Sequence, residues 1–365
     1  MKNRSFIISL LVILASCQPH NDTEYFNGEI QSIKSHHCID LEVISKKLLL
    51  DGTFYGKMYI YDSLLFFHNP KLKSQTFNVC NVKTGREIGT FCERGGGPQE
   101  AYVFSPVYYI YNENGHLKAP LFAPNEEELF TWNISKSIQQ NKTFYEKTSH
   151  CIFKDESDGA FFQEVFFLNP DTLLAQIGTR AIGDDDATLP YYLTRSINNN
   201  TIKKYYPFKK TIKNGEATII PEAFYGTHCA IKPDKTTLVE AMRYLPQINF
   251  INLQTGEIKG FRMKGGEDFS IFKKTHKDLK LYFCNITADD NYIYAVYYGK
   301  YRPKKNEKLN TNQIYIFNWE GELKYRLTTD CNIFETVLDD TNNRLYMSIR
   351  GEDEVRYIEL NEAID

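Results

Sequence analysis

Seven basic residues recur along this chain at intervals that a repeated unit would bring to one face: His68, Arg94, Arg180, Arg243, Lys300, Arg302 and Arg350. Guanidinium and ammonium groups converging on one opening recognise carboxylate, sulfate or phosphate, with Arg supplying bidentate contacts. At about 10 Å and an effective dielectric of about 20, neighbouring cations repel by roughly 1.7 kcal/mol. Such a ring needs either intervening carboxylates or a bound anion. Two arrangements satisfy it: strand-end cations that are solvated or paired with Glu164, Glu335 or Asp353, and a mouth that captures an anionic glycan or peptide. One segment, Ala123-Pro124-Asn125-Glu126-Glu127, breaks the pattern with acid.

The elements that would position these residues are short and repeated. Aromatic residues make up 14% of the 365, with 25 Tyr and 25 Phe, a composition suited to strands. An Asx-rich turn leads into an apolar run six times, around Phe66, Leu117, Leu174, Val239, Tyr294 and Tyr346, at spacings of 51, 57, 65, 55 and 52 residues. A second run follows each: Thr76–Val79, Leu129–Ile134, Tyr192–Ile197, Ile248–Leu253, Ile314–Trp319 and Arg356–Leu360. Tight turns such as Lys83-Thr84-Gly85 and Gln254-Thr255-Gly256 then lead into an outer strand. Periods of this size indicate a propeller of four-stranded blades. The fold expected is all-β, a six-bladed β-propeller of antiparallel blades. Its last unit stops after a third strand, so Ile39–Leu50 is expected to supply the fourth and close the ring. The cations listed first then follow the second strand of their blades or lie between blades.

The N-terminus reads as an export signal. Lys2 and Arg4 precede an apolar run, Phe6 to Leu14, too short to span a bilayer. Leu14-Ala15-Ser16-Cys17 resembles the bacterial lipobox, which implies removal of residues 1–16 and lipidation of Cys17. Residues 17–34 are then expected as the lipidated Cys and a tether, with the propeller over 35–365. The implied address is the outer membrane, facing the periplasm or the cell exterior. Long acyl chains contribute about 0.8 kcal/mol per buried methylene, enough to hold a protein at a membrane. Seven cysteines remain beyond Cys17, and few or no disulfides are expected. A turn at Thr84-Gly85 would set Cys80 opposite Gly89 and Cys92 opposite Phe77, out of register for a bond. Cys284-Asn285-Ile286 and Cys331-Asn332-Ile333 read as one repeat position used twice.

The six-fold pattern, the lipobox and the stretch Glu93-Arg94-Gly95-Gly96-Gly97-Pro98-Gln99-Glu100 together resemble the TolB-like six-bladed propeller lipoproteins of Bacteroidota. Members of that family often carry Gly-x-Gly-Pro-Gly-Glu there; Gln99 stands at the second Gly, where a turn would need positive φ. Likeness to NHL and TolB propellers implies binding through the channel mouth and its loops, by fold analogy alone.

Local motifs for catalysis do not occur. There is no Gly-x-Ser-x-Gly elbow and no His-Glu-x-x-His, and the histidines show no metal spacing. Asp184-Asp185-Asp186 lacks the alternating oxygens of a calcium loop. The Gly95–Gly97 run has no Lys-Ser/Thr after it and reads as a tight connection between blades. Arg302-Pro303-Lys304-Lys305 reads as an exposed hairpin loop that could meet an anionic surface. No cofactor or metal is expected, and a net charge of -3 argues against a nucleic-acid partner. A binding or scaffolding module, with an anionic glycan or peptide ligand or an envelope protein partner, ranks ahead of an enzyme. The alternative is a metal-dependent hydrolase or lyase built from inner-strand residues of several blades, for which Glu164, Glu222, Glu240 and Glu335 are candidates.

Overall fold

A computed structural model describes residues 20–52, 54–150, 160–179, 189–197, 202–209, 225–273, 278–303 and 309–364. The N-terminal arm comprises α1 (His20–Tyr25), β1 (Glu29–Ser32), β2 (Ile39–Val43) and β3 (Lys46–Leu48). Blade 1 follows as β4 (Lys57–Tyr61), β5 (Leu64–His68), β6 (Gln75–Asn81) and β7 (Glu87–Glu93). Blade 2 holds β8 (Tyr111–Glu113), β9 (His116–Ala123), β10 (Glu128–Asn133) and β11 (Tyr145–His150), with helix α2 (Ile134–Gln140) between the last two. Blade 3 is β12 (Ala160–Asn169), β13 (Thr172–Thr179), β14 (Tyr191–Ser196) and β15 (Ile202–Tyr205). Blade 4 is β16 (Thr227–Ile231), β17 (Thr237–Met242), β18 (Gln247–Asn252) and β19 (Ile258–Arg262). Blade 5 is β20 (Lys280–Ala288), β21 (Tyr292–Tyr301), β22 (Gln313–Asn318) and β23 (Leu323–Thr329). Blade 6 is β24 (Ile333–Asp339), β25 (Arg344–Ile349) and β26 (Val355–Glu359). The protein is a six-bladed β-propeller of antiparallel four-stranded blades. Each second and third strand falls on the runs expected from sequence.

Turn chemistry accounts for the hairpins. Asn81 Oδ1 accepts the backbone N–H of Lys83 and Thr84 at 2.9 and 3.1 Å, and Asn252 does the same for Gln254 and Thr255 at 2.9 and 2.8 Å. The glycines that follow, Gly85 and Gly256, take φ of 71° and 83°. Between blades the sheets bury large aromatics: Phe66, Phe77 and Phe91 surround Trp132 at 5.9, 5.5 and 5.8 Å between ring centroids.

The arm does more than close the ring. Only its last strand, β3, completes blade 6, pairing antiparallel with β26. The expected closing segment, Ile39–Leu50, is thus divided. Its first part, β2, runs parallel to β23 as a fifth strand of blade 5, and β1 does the same beside β19 of blade 4. Leu41 and Val43 pack on the core between blades 5 and 6, which draws β2 onto the sheet edge. Of the stretch read as a tether, the described residues from His20 onward are fastened to the body. Asp22 accepts from Arg262 Nη1 at 2.8 and 2.7 Å, and Phe26 is fully buried. Asn27 donates to the Pro207 carbonyl at 2.8 Å.

Two local expectations are corrected. A bulge between Val79 and Cys80 sets Val79 opposite Gly89 and Cys80 opposite Glu87, not Gly89. Both thiols are nevertheless free, as are those of Cys38, Cys229, Cys284 and Cys331; Cys151 lies outside the described residues. Cys284 and Cys331 do not share a repeat position, because Ile286 lies within β20 whereas Ile333 opens β24. Gln99 does take the positive φ, at 66°. The glycine loop before it wraps the Glu100 carboxylate: the Gly97 N–H donates to it at 3.0 Å, and a Cβ on Gly95 would sit 2.1 Å from the same oxygen. The Glu100 carboxylate therefore occupies the Gly97 amide. No helix among the described residues is long and apolar enough to cross a membrane.

Candidate functional site

The six innermost strands converge on an axial channel with a cavity of about 610 Å³. Each blade contributes one polar side chain near one end of it: Lys57 from β4, Tyr108 from the segment before β8, Glu164 from β12, His228 from β16, Asn285 from β20 and Glu335 from β24. Inner strands of a propeller alternate residues toward the axis and toward neighbouring sheets, so one polar position per strand suffices to build a ring. The ring is internally bonded. Lys57 and Tyr108 both reach Glu164, and Lys57 Nζ lies 3.0 Å from the Tyr108 hydroxyl. Across the channel Asn285 donates to Glu335 and accepts from the Thr336 N–H and hydroxyl at 3.1 and 2.6 Å.

Charge within the ring is set by burial and by these contacts. Burial works against the Lys57 ammonium, but Tyr108, Glu164 and Glu335 outweigh it and hold its pKa well above the usual lysine value. The side chain keeps 40% of its surface open. Burial pushes the Glu335 carboxyl up to about 7; Glu164 adds to the rise, while Lys57, Arg350 and Asn285 oppose it. Burial lowers His228 to about 4, with Arg243, Lys57 and Arg350 reinforcing it against Glu164, so the imidazole is neutral at pH 7.

Arg243 and Arg350 stand at this same end of the channel. The Arg243 carbonyl accepts from the Tyr282 N–H near the start of β20 at 2.8 Å, and the Arg350 N–H donates to the Asn332 carbonyl just before β24 at 2.7 Å. Arg243 is exposed; Arg350 is half-buried over the Phe334 ring, 5.0 Å from its centroid. Its Nε is buried and has no hydrogen-bond partner among the described residues. The opposite mouth is acidic. Asp340 lines the cavity there, its pKa raised by burial and by Asp289, Asp290 and Asp339, with Lys235 as a cation on the same side.

The remaining expected cations have other surroundings. His68 approaches the Phe104 carbonyl at 3.0 Å through Nε2, and burial and Arg94 lower its pKa to about 4. Arg94 donates to the carbonyls of Leu72 and Asn69, both at 3.1 Å, bracing the loop after β5. Lys300 and Arg302 sit exposed at the end of the β20–β21 hairpin, and Arg180 lies outside the described residues. Asp353 pairs with Lys71 at 2.8 Å, and Glu126 accepts from the Tyr102 N–H at 3.1 Å. Among the catalytic candidates, Glu164 and Glu335 enter the ring, and Glu222 lies outside the described residues. Glu240 is buried off the channel, held by Tyr192 and by Asn249 at 2.7 Å. Among the described residues no group of three or more His, Cys, Asp or Glu could hold a metal ion. The sequence reading missed Lys57, Tyr108, His228 and Asn285. What unites them is that each lines the axial channel from an innermost strand or the segment leading into one, visible only once blade boundaries are known to the residue.

No family model and no curated protein matches the chain. Among solved structures it is similar to a member of the DUF4221 family from Bacteroides vulgatus, at 12% identity and a TM-score of 0.56, covering 86% of this chain and 95% of that one. It is also similar to a protein from Bacteroides fragilis described as exported, at 14% identity and a TM-score of 0.52, covering 88% of each. The likeness is one of fold. It leaves the TolB-like resemblance as a resemblance.

Proposed function

We propose that the chain is an exported, lipid-anchored propeller that captures a small anionic ligand, such as a carboxylated or sulfated sugar, at the Arg243 and Arg350 end of its channel. The observation that carries this reading is the pairing of two guanidinium groups at one channel end, the exposed Arg243 and the half-buried Arg350, whose buried Nε is left without a partner among the described residues at a cost of about 1–3 kcal/mol. Lys57 and Arg243 add positive charge beside it, and His228 adds none. The cavity, about 610 Å³, falls in the range of small-molecule sites and suits one or two sugar rings or one peptide terminus. Tyr59, Tyr61, Tyr108 and Tyr109 contribute to its lining. Anchoring is supported by Leu14–Cys17, and export by the same segment and by the likeness in fold to the Bacteroides fragilis protein described as exported.

Titration calorimetry with glucuronate and glucose tests the reading. Glucuronate is expected to bind at least about tenfold more tightly, a difference of about 1.4 kcal/mol, and Arg350→Ala or Arg243→Ala to erase it. Equal binding of the neutral sugar, or full affinity in the Arg243→Ala, Arg350→Ala double variant, would contradict it. A second reading, acid–base chemistry on the same ligand, is favoured by Glu335, whose carboxyl near pH 7 faces the cavity beside a Lys57-paired Glu164. Product formation from glucuronate-containing disaccharides, lost in Glu335→Gln while binding persists, would establish it.

A further inference from the structure

The channel explains neither the short N-terminal helix nor the exposed apolar residues of blade 3, and the two lie together. Helix α1 starts at His20, three residues after Cys17. It cannot swing away, because Asp22 is locked to Arg262 and Phe26 is buried against Phe208. Tyr25 and Asn27 exchange backbone hydrogen bonds with Lys209 and Pro207, both at 2.8 Å, so the arm is stitched to the segment that follows β15. Three extended residues reach at most about 11 Å. A lipid on Cys17 therefore holds whatever lies around α1 at headgroup depth.

What lies there has the chemistry of a membrane interface. Ile202 and Tyr206 are 38% and 46% exposed, and Lys204 and Lys209 are exposed beside them. Tyr206 stacks on Tyr191 at 5.4 Å, and the Lys204 ammonium lies 5.6 Å from the centroid of the same Tyr191 ring. Tyrosine puts an apolar ring in the acyl boundary and its hydroxyl in water, and lysine carries its charge to the phosphates. Among the described residues no strand pairs with the outer side of β15: the arm covers the outer strands of blades 4 and 5 and closes blade 6, but adds no strand to blade 3. An uncovered edge bearing apolar side chains invites a partner. Edge strand β7 of blade 1 is met by the segment after α2, where the Cys92 N–H donates to Thr143 at 2.8 Å, and it carries Glu87 and Glu93, which phosphates would repel. The more exposed Ile44 and Leu49, at 84% and 76%, flank β3 on blade 6, opposite blade 3 in the six-fold ring and beyond the reach of Cys17.

We propose that the outer edge of blade 3, where β15 meets the N-terminal arm, rests on the phospholipid bilayer that receives the Cys17 lipid. The proposal rests on the lipoprotein reading above. Its consequence is geometric: with one blade edge on the membrane, the channel axis runs along the membrane plane, and both mouths stay open to solvent.

Tyr206→Trp in the full lipidated chain, reconstituted into vesicles of brominated phosphatidylethanolamine and phosphatidylglycerol, tests the seat, with Leu49→Trp as its counterpart and Ile202→Trp as a second reporter. Trp132 and Trp319 contribute equally to every variant. The Tyr206 and Ile202 reporters are expected to lose most of the added fluorescence and the Leu49 reporter none. Palmitate incorporation, lost in Cys17→Ser, reads the anchor separately. An acylated protein whose Tyr206 and Ile202 reporters are unquenched, or no more quenched than the Leu49 reporter, overturns the seat alone. Absence of acylation overturns the lipoprotein reading and the seat with it.

Discussion

Glu335 is the one member of the channel ring whose charge changes near neutral pH, and that gives the site a direction of pH response. Its carboxyl is raised to about 7, so it is largely ionised at pH 8 and largely protonated at pH 6. His228, lowered to about 4, stays neutral across that window, and Lys57, raised well above its usual value, stays charged. An anionic ligand meets one negative charge fewer at pH 6, so glucuronate affinity should rise three- to tenfold from pH 8 to pH 6, about 1 kcal/mol. In Glu335→Gln the affinity should be flat and close to the pH 6 value; calorimetry at the two pH values checks both. The sequence named Glu164 and Glu335 only as loose candidates because nothing local distinguishes them. Lys57, Glu164 and Glu335 meet only because three separate blades return their first strands to one axis. Arg243 and Arg350 were legible by another route, since each follows a strand whose aromatic and β-branched run is unmistakable.

At the scale of elements, the same logic separates what sequence could supply from what it could not. Asx and Gly turns announced the hairpins at Asn81 and Asn252, because an Asn carboxamide beside a glycine stabilises a tight reversal on its own. The bulge at Val79/Cys80 left no such mark, and it shifted the expected partner of Cys80 by two residues. The arm was foreseen as a closing strand but not as parallel fifth strands, since β1 and β2 are short and gain their place from the outer edges of blades 4 and 5. Its fastening rests on Asp22, paired with both carboxylate oxygens against Arg262, which also holds Gln247 at 2.9 and 2.6 Å. Both charges are nearly buried. Asp22→Ala should therefore cost about 3 kcal/mol in urea unfolding, because it strands the Arg262 guanidinium. Lys83→Ala, which breaks an exposed pair with Asp62, should cost under about 0.5 kcal/mol. Comparable losses in the two variants would show that the arm is not held by this pair.

The whole molecule is a closed ring in which the last strand of the N-terminal arm pairs with β26 in blade 6, and its two channel mouths carry opposite charge. Cations stand at the Arg243 and Arg350 end and carboxylates around Asp340 at the other, and the proposed capture of an anion rests on that asymmetry. The alternation of strands and turns that declared the propeller carried no information on which end would be basic, because that depends on inner-strand direction common to all six blades. The most direct test is a crystal structure with glucuronate bound. The account predicts its carboxylate against the Arg350 guanidinium and within reach of Arg243, with the sugar ring descending toward Lys57 and Tyr108. A ligand at the Asp340 mouth, or an occupied outer groove beside an empty channel, would contradict it.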